Sequence, residues 1–240
     1  MMRRGGSFMM SGAVSVVIAA SVRNPDVRAL AIAAGWRGNG KIILRVNAVV
    51  DVANLVIPAT IPNDCLSITN IGRLGGMTDS AAQQSAGLVA LTRISVDNRG
   101  QIFSAGARGG SGGSAYYQWM LNTPRVTAAG GGGGNGAGFS TSGIVALLAA
   151  TAGAAGEYRL YDGDVLGGQE RGWAQGGAGG AGGALGAAGG NGDIGTFYKG
   201  SALEASTSGG IPTPPAANPA VQGNSLITWI SLGTITGPRA

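Results

Sequence analysis

The strongest constraint in this 240-residue chain is the phase of its glycines. Gly177, Gly180, Gly183, Gly186, Gly189 and Gly192 form an unbroken row at every third position, and Gly176, Gly179 and Gly182 form a second row beside it. Shorter rows of the same period run through Gly106, Gly109 and Gly112 and through Gly130, Gly133 and Gly136. A period of three is neither the 3.6 of an α-helix nor the 2 of a strand. It matches polyproline II geometry, which has three residues per turn and makes no internal hydrogen bonds. Such a helix is ordered only where neighbours take up its N–H and C=O groups, and glycine lets them approach closely enough. The rows therefore predict lateral packing of several helices, with residues 176–192 spanning about 50 Å as one rod. A flexible linker would hold no such register; here alanines and Leu185 fill the gaps between the glycines.

Composition narrows the function. The chain has no histidine, so Ser-His-Asp and Cys-His nucleophile systems and His metal sites are excluded. Its single cysteine, Cys65, allows no intrachain disulfide and reads as a small apolar residue. The net charge of +5 comes from sixteen basic residues, all arginine except Lys41 and Lys199, and only Arg3-Arg4 are adjacent. That scatter argues against nucleic acid as a partner. Arg3 and Arg4 stand before an apolar run in the manner of a secretion signal. The run alternates, however, with Val14, Val16 and Ile18 on one side, as a strand does. No apolar stretch reaches the ~18 residues of a membrane span.

A short helix is expected next. Asn24 reads as its N-cap, Pro25 as its first residue and Gly35 as its stop, with Val27, Leu30, Ala31 and Ala34 on the apolar face. Strands follow: Ile42, Leu44 and Val46 alternate with Ile43, Arg45 and Asn47, and a second run covers 49–57. A repeat then appears. Ile68-Thr-Asn70-Ile-Gly72-Arg-Leu74 matches Val96-Asp-Asn98-Arg-Gly100-Gln-Ile102, and Trp229-Ile-Ser231-Leu-Gly233-Thr-Ile235 is a weaker copy. Each copy reads as strand, tight turn and strand, a unit suited to stacked β structure.

Nine of the thirteen aromatic residues lie between or beside the glycine runs: Tyr116, Tyr117, Trp119, Phe139, Tyr158, Tyr161, Trp173, Phe197 and Tyr198. Loops that emerge from a stiff bundle and carry Tyr and Trp suit a recognition surface, because those rings give contact area at low entropy cost. The other reading is that they cap the bundle or pack between subunits. Glu157, Asp162, Asp164 and Glu170 gather in the same region and read as solvated loop charge, with too few ligands for a calcium loop. The glycine runs lack the Gly-Lys-Ser/Thr ending of a phosphate loop.

The order of these elements carries a resemblance. Gly35-Trp36-Arg37-Gly38, the strands 42–57, the turns at Asn70 and Asn98, and the glycine runs from Gly106 resemble a module of tailed-phage tail fibre and tail tip proteins. The glycine region is similar to that of phage adhesins whose distal domain is a sandwich of polyglycine II helices with receptor-binding loops. The resemblance implies a virion tail protein that attaches to the host surface without catalysis, metal or cofactor. The implied partners are copies of itself as a homotrimer, other tail proteins, and a host receptor of protein or glycan. A purely structural tail role is the alternative. The expected fold is mainly β, with glycine-rich polyglycine II-like helices and one short α-helix. The expected division is 1–65 as an attachment module, 66–105 as β rungs, 106–200 as the glycine-rich domain with aromatic loops, and 201–240 as a proline-rich connector with final strands.

Overall fold

The computed structural model describes residues 12–78, 85–118, 125–161, 172–198, 204–208 and 216–240. It is mainly β with one short helix. The first half coils. A first turn comprises β1 (Val14–Ile18), β2 (Val22–Arg23) and α1 (Val27–Ala33). A second comprises β3 (Ile42–Val46), β4 (Asp51–Ala53) and β5 (Leu55–Ile57). A third comprises β6 (Leu66–Asn70), β7 (Arg73–Gly75) and β8 (Leu88–Ala90), and a fourth opens with β9 (Ile94–Asn98) and β10 (Gln101–Phe103).

The chain then makes a long excursion. It carries β11 (Ser114–Gln118), β12 (Val126–Ala128), β13 (Gly138–Phe139), β14 (Leu147–Leu148), β15 (Tyr158–Tyr161), β16 (Gly172–Gln175), β17 (Thr196–Tyr198) and β18 (Glu204–Ser208). On its return β19 (Val221–Gln222) completes the fourth turn. A fifth follows in β20 (Ile227–Ser231) and β21 (Thr234–Thr236). The turns stack as three parallel sheets, in the orders β1-β3-β6-β9-β20, β2-β4-β7-β10-β21 and β5-β8-β19. Residues 238–240 lie against β19 through a Val221–Arg239 bridge and close the last turn.

Alternation explains this β-solenoid. In β3 the pattern buries Ile42, Leu44 and Val46 and leaves Ile43 and Arg45 outside. In-register pairing stacks Val16, Leu44, Ile68, Val96 and Trp229 in one column. Val52, Leu74, Ile102 and Ile235 form a second. Both columns belong to one apolar core, which also takes in Ala220, Val221 and Ile227 from beyond the excursion. The sequence repeat is the corner between the first two sheets. Asn70 Nδ2 donates to Asn98 Oδ1 at 2.7 Å, and Asn98 Nδ2 donates to the Leu232 carbonyl at 2.5 Å. A Cβ on Gly100 would lie 2.0 Å from the Gly72 carbonyl oxygen, so the corners stack only without side chains there. The weaker third copy carries a bulge between Trp229 and Ser231.

The helix differs from its sequence reading. Asp26, not Asn24, is the N-cap, accepting from the Ala29 N–H at 2.9 Å, and the helix starts at Val27. Asn24 instead turns a corner at φ 44° and accepts from Asn54 Nδ2 at 2.7 Å. Asn54 has the same left-handed backbone (φ 56°) and splits the expected run 49–57 into β4 and β5. Gly35 does end the helix, at φ 97°.

The excursion is built on a different bond pattern. Five extended segments, 104–113, 129–137, 149–157, 176–184 and 186–195, run back and forth between the solenoid and a far end. Each donates backbone hydrogen bonds to a neighbour at every third residue. Gly106, Gly109 and Gly112 donate to Ala137, Gly134 and Gly131, and Gly131, Gly134 and Ala137 donate to Gly177, Gly180 and Gly183. The stretch expected as one 176–192 rod folds back at Leu185-Gly186, where Gly186 has φ 70°. Segment 176–184 is central, bonded to each of the other four. It has glycine in two of its three phases, and its third phase, Ala178, Ala181 and Ala184, faces outward. Segment 149–157 bonds to only two neighbours and has a single glycine row, Gly153 and Gly156. The segment with four neighbours thus carries one glycine row more than the segment with two.

A small apolar cluster joins the two regions. Ala53, Met77, Phe103 and Phe139 are buried together, with Val145 and Leu185 against them. The Phe103 and Phe139 rings are 5.0 Å apart. Arg23 holds the β13–β14 hairpin, with Nε on the Ser140 carbonyl at 2.7 Å and Nη2 on the Ser142 carbonyl at 2.7 Å.

Candidate aromatic surface at the far end

Every glycine segment has one end at the solenoid and the other at a pair of small sheets. Segment 104–113 leads into β11, β12 leads into 129–137, 149–157 leads into β15, and β16 leads into 176–184. The sheets have the orders β12-β11-β18 and β15-β16-β17 and pair antiparallel throughout. They meet on a minimal core of Ala115, Tyr117, Ala128 and Ala174. Tyr117 is 1% exposed. Its ring lies where a Cβ on Gly172 would be, 2.1 Å from that position, so Gly172 makes room for it.

The structure sorts the sequence candidates. Tyr117 faces inward and holds the sheets together. Tyr116, the residue before it, is half-buried on the opposite face, with Arg125 Cζ 3.6 Å from its ring centroid in a cation–π contact. Tyr161 closes β15 opposite Gly172. Phe197 is half-buried opposite Ala174. Trp119, Asp162, Asp164 and Glu170 lie outside the described residues. Tyr158, Trp173 and Tyr198 come together on the outer face of the β15-β16-β17 sheet. The Tyr158 and Trp173 rings are 6.0 Å apart and tilted by 35°. Trp173 also pairs directly with Leu160 on one side and Tyr198 on the other. Tyr158, Leu160 and Tyr198 are 53%, 54% and 54% exposed.

Sequence reasoning missed Leu160, Gln175 and Thr196, which share this face. Gln175 pairs with Tyr158 and with Thr196, so the face has one row of Leu160, Trp173 and Tyr198 and a second of Tyr158, Gln175 and Thr196. Period-2 alternation around Trp173 was the available signal, but the cross-strand register is not local.

Among the described residues, charge stays off this face. Glu157, just before β15, accepts from the Ala129 N–H at 3.2 Å and from Arg159 Nη2 at 3.3 Å. The Ala129 N–H, and then Arg159, hold its carboxyl below the usual value. Among the described residues no group of His, Cys, Asp and Glu is placed to hold a metal ion. No described helix is long and apolar enough to cross a membrane.

No curated protein matches this chain. Among solved structures, the gp37-gp38 adhesin tip complex of the bacteriophage S16 long tail fiber is similar at 18% identity, over 95% of this chain and 82% of that chain, with a TM-score of 0.45. Residues 13–240 match the family described as phage tail fibre adhesin Gp38. With that match running from the first solenoid strand to the last residue, the chain belongs to the phage tail fibre adhesin family, and it is a virion tail protein with an attachment function.

Proposed function

We propose that the two regions divide the attachment function: the solenoid faces the tail fibre, and the far-end sheets face the host surface. The observation that carries this reading is the placement of large exposed side chains. Tyr158, Leu160 and Tyr198 are each more than half exposed at the end of the glycine segments remote from the solenoid, while the core beneath them is mostly alanine. Burying aromatic rings is the default, and a contiguous exposed patch marks an interaction site.

In this reading the glycine segments are polyglycine II helices. The bonding at every third residue and the steric need for glycine at the contacts support that assignment. Ten residues, as in 104–113, then set the surface about 30 Å from the solenoid. The homotrimer expected from the sequence rested on lone helices needing neighbours and on the resemblance to tail fibres, which are commonly threefold. Here each segment finds bonding neighbours within the same chain. Light scattering on the isolated chain measures the state directly, and we expect a monomer. We read the chain as non-enzymatic, since attachment needs only surface contact.

A structural reading is favoured at one position, Tyr117, whose burial suits packing rather than receptor contact. The test is a pair of variants in assembled virions. Under the attachment reading, Tyr158→Ala with Tyr198→Ala leaves particles intact by electron microscopy and lowers adsorption to host cells. Normal adsorption by those particles would refute it.

A further inference from the structure

The outer face of the β15-β16-β17 sheet has a chemistry of its own. Its described side chains are Tyr158, Leu160, Trp173, Gln175, Thr196 and Tyr198, and none is charged, in a chain of net charge +5. The row of Leu160, Trp173 and Tyr198 forms an apolar strip in which Trp173 is half-buried and its two neighbours are more than half exposed. The adjoining row places an amide and a hydroxyl, Gln175 and Thr196, beside the Trp173 and Tyr198 rings. Neutral hydrogen-bonding groups next to partly exposed rings suit a ligand that presents axial C–H groups to a ring and hydroxyls at its rim.

Size selects among occupants. Three strands at about 4.8 Å spacing and two rows about 6.7 Å apart give a lattice of about 10 by 7 Å. A stable protein partner covers about 800 Å² on each side, far more than this face. One or two sugar rings fit it. The absence of charge among the described residues of the face favours a neutral sugar over a sialic acid or a phosphorylated one.

We propose that this face binds a neutral pyranose of a surface glycan, with the ring stacked on Trp173 and Tyr198 and its hydroxyls bonded by Gln175 and Thr196. The proposal rests on the reading that the far end meets the host surface. Methyl glycosides of glucose, galactose and N-acetylglucosamine are the probes, with saturation-transfer NMR on the full chain as readout. We expect at least one to receive saturation and to shift the Trp173 indole resonance. Tyr198→Ala and Gln175→Ala, both at exposed positions, should each weaken binding about tenfold, a stacking or hydrogen-bond increment. Retained thermal unfolding would show that these variants fold. No saturation of any of the three glycosides would overturn the proposal, and so would binding that both variants leave unchanged. If the glycosides fail while Tyr158→Ala with Tyr198→Ala still abolishes adsorption, the attachment reading stands and this inference falls. If the glycosides bind while adsorption is unaffected, the sugar site stands and the attachment role of the face falls.

Discussion

The solenoid and the glycine stack solve the same problem in opposite ways. Both are built from extended backbone that must find bonding partners outside its own segment. In the solenoid the partners are successive turns, and stability comes from apolar columns such as Leu44, Ile68 and Val96, each 0% exposed. In the glycine stack there is almost no side-chain core, and backbones bond to backbones at every third residue. A missing methyl group weakens the first region, and an added one breaks the second. Packing tolerance therefore has opposite signs within one chain.

The largest test of that contrast is Gly133→Ala. A Cβ there would lie 1.8 Å from the Gly109 carbonyl oxygen and 2.9 Å from that of Gly110, both main-chain atoms that cannot step aside. We expect a loss above about 4 kcal/mol and rapid proteolysis of the glycine region. Gly132→Ala, one residue earlier, meets only the end of the Arg108 side chain at 3.6 Å. It should change the unfolding midpoint by no more than about 0.5 kcal/mol in stability. If both substitutions behave alike, phase is not what orders the segment.

In the solenoid, Ile68→Ala should cost about 2–5 kcal/mol by urea unfolding, because the buried column cannot collapse around the gap. Asn70→Ala removes the donor to the buried Asn98 Oδ1 and should cost about 1–3 kcal/mol. Swapping the apolar column of one turn for alanines while the glycine stack keeps its protection from hydrogen exchange would separate the two regions as folding units.

The smallest effect lies at Glu157, where the depressed pKa stabilises the folded state above the unfolded carboxyl's pKa. That contribution is lost as pH falls through the lower folded value. Glu157→Gln should thus be less stable than the parent near neutral pH, and the two urea midpoints should converge below about pH 4. A gap that widens in acid would reverse the sign.

What was legible in the sequence was local or periodic. Val14–Ile18 and Ile42–Val46 alternate, and both are strands with the expected faces. The Asn-x-Gly turns were visible because each places the same residues in the same register. The equivalent corner of the second turn escaped notice because it carries extra residues, with Val49 at φ 56° and 97% exposed. The pairing of the final strands was not legible because their partners, β9 and β10, lie more than a hundred residues earlier in the chain. The fold-back at Gly186 was hidden because the turn keeps the glycine row in phase. At the aromatic surface, the identity of the rings was readable, and their direction was not. Tyr116 and Tyr117 are neighbours in sequence and face opposite ways, as adjacent strand residues must.

The return of the chain to the solenoid has a practical consequence for durability outside the cell. The glycine stack leaves after Phe103 and comes back at Ala220, and both anchor points are fully buried. A protease that nicks one exposed loop of the stack leaves each fragment still rooted in the same core. Detaching the far end takes two cuts, so single cleavage by a host enzyme need not disarm the particle.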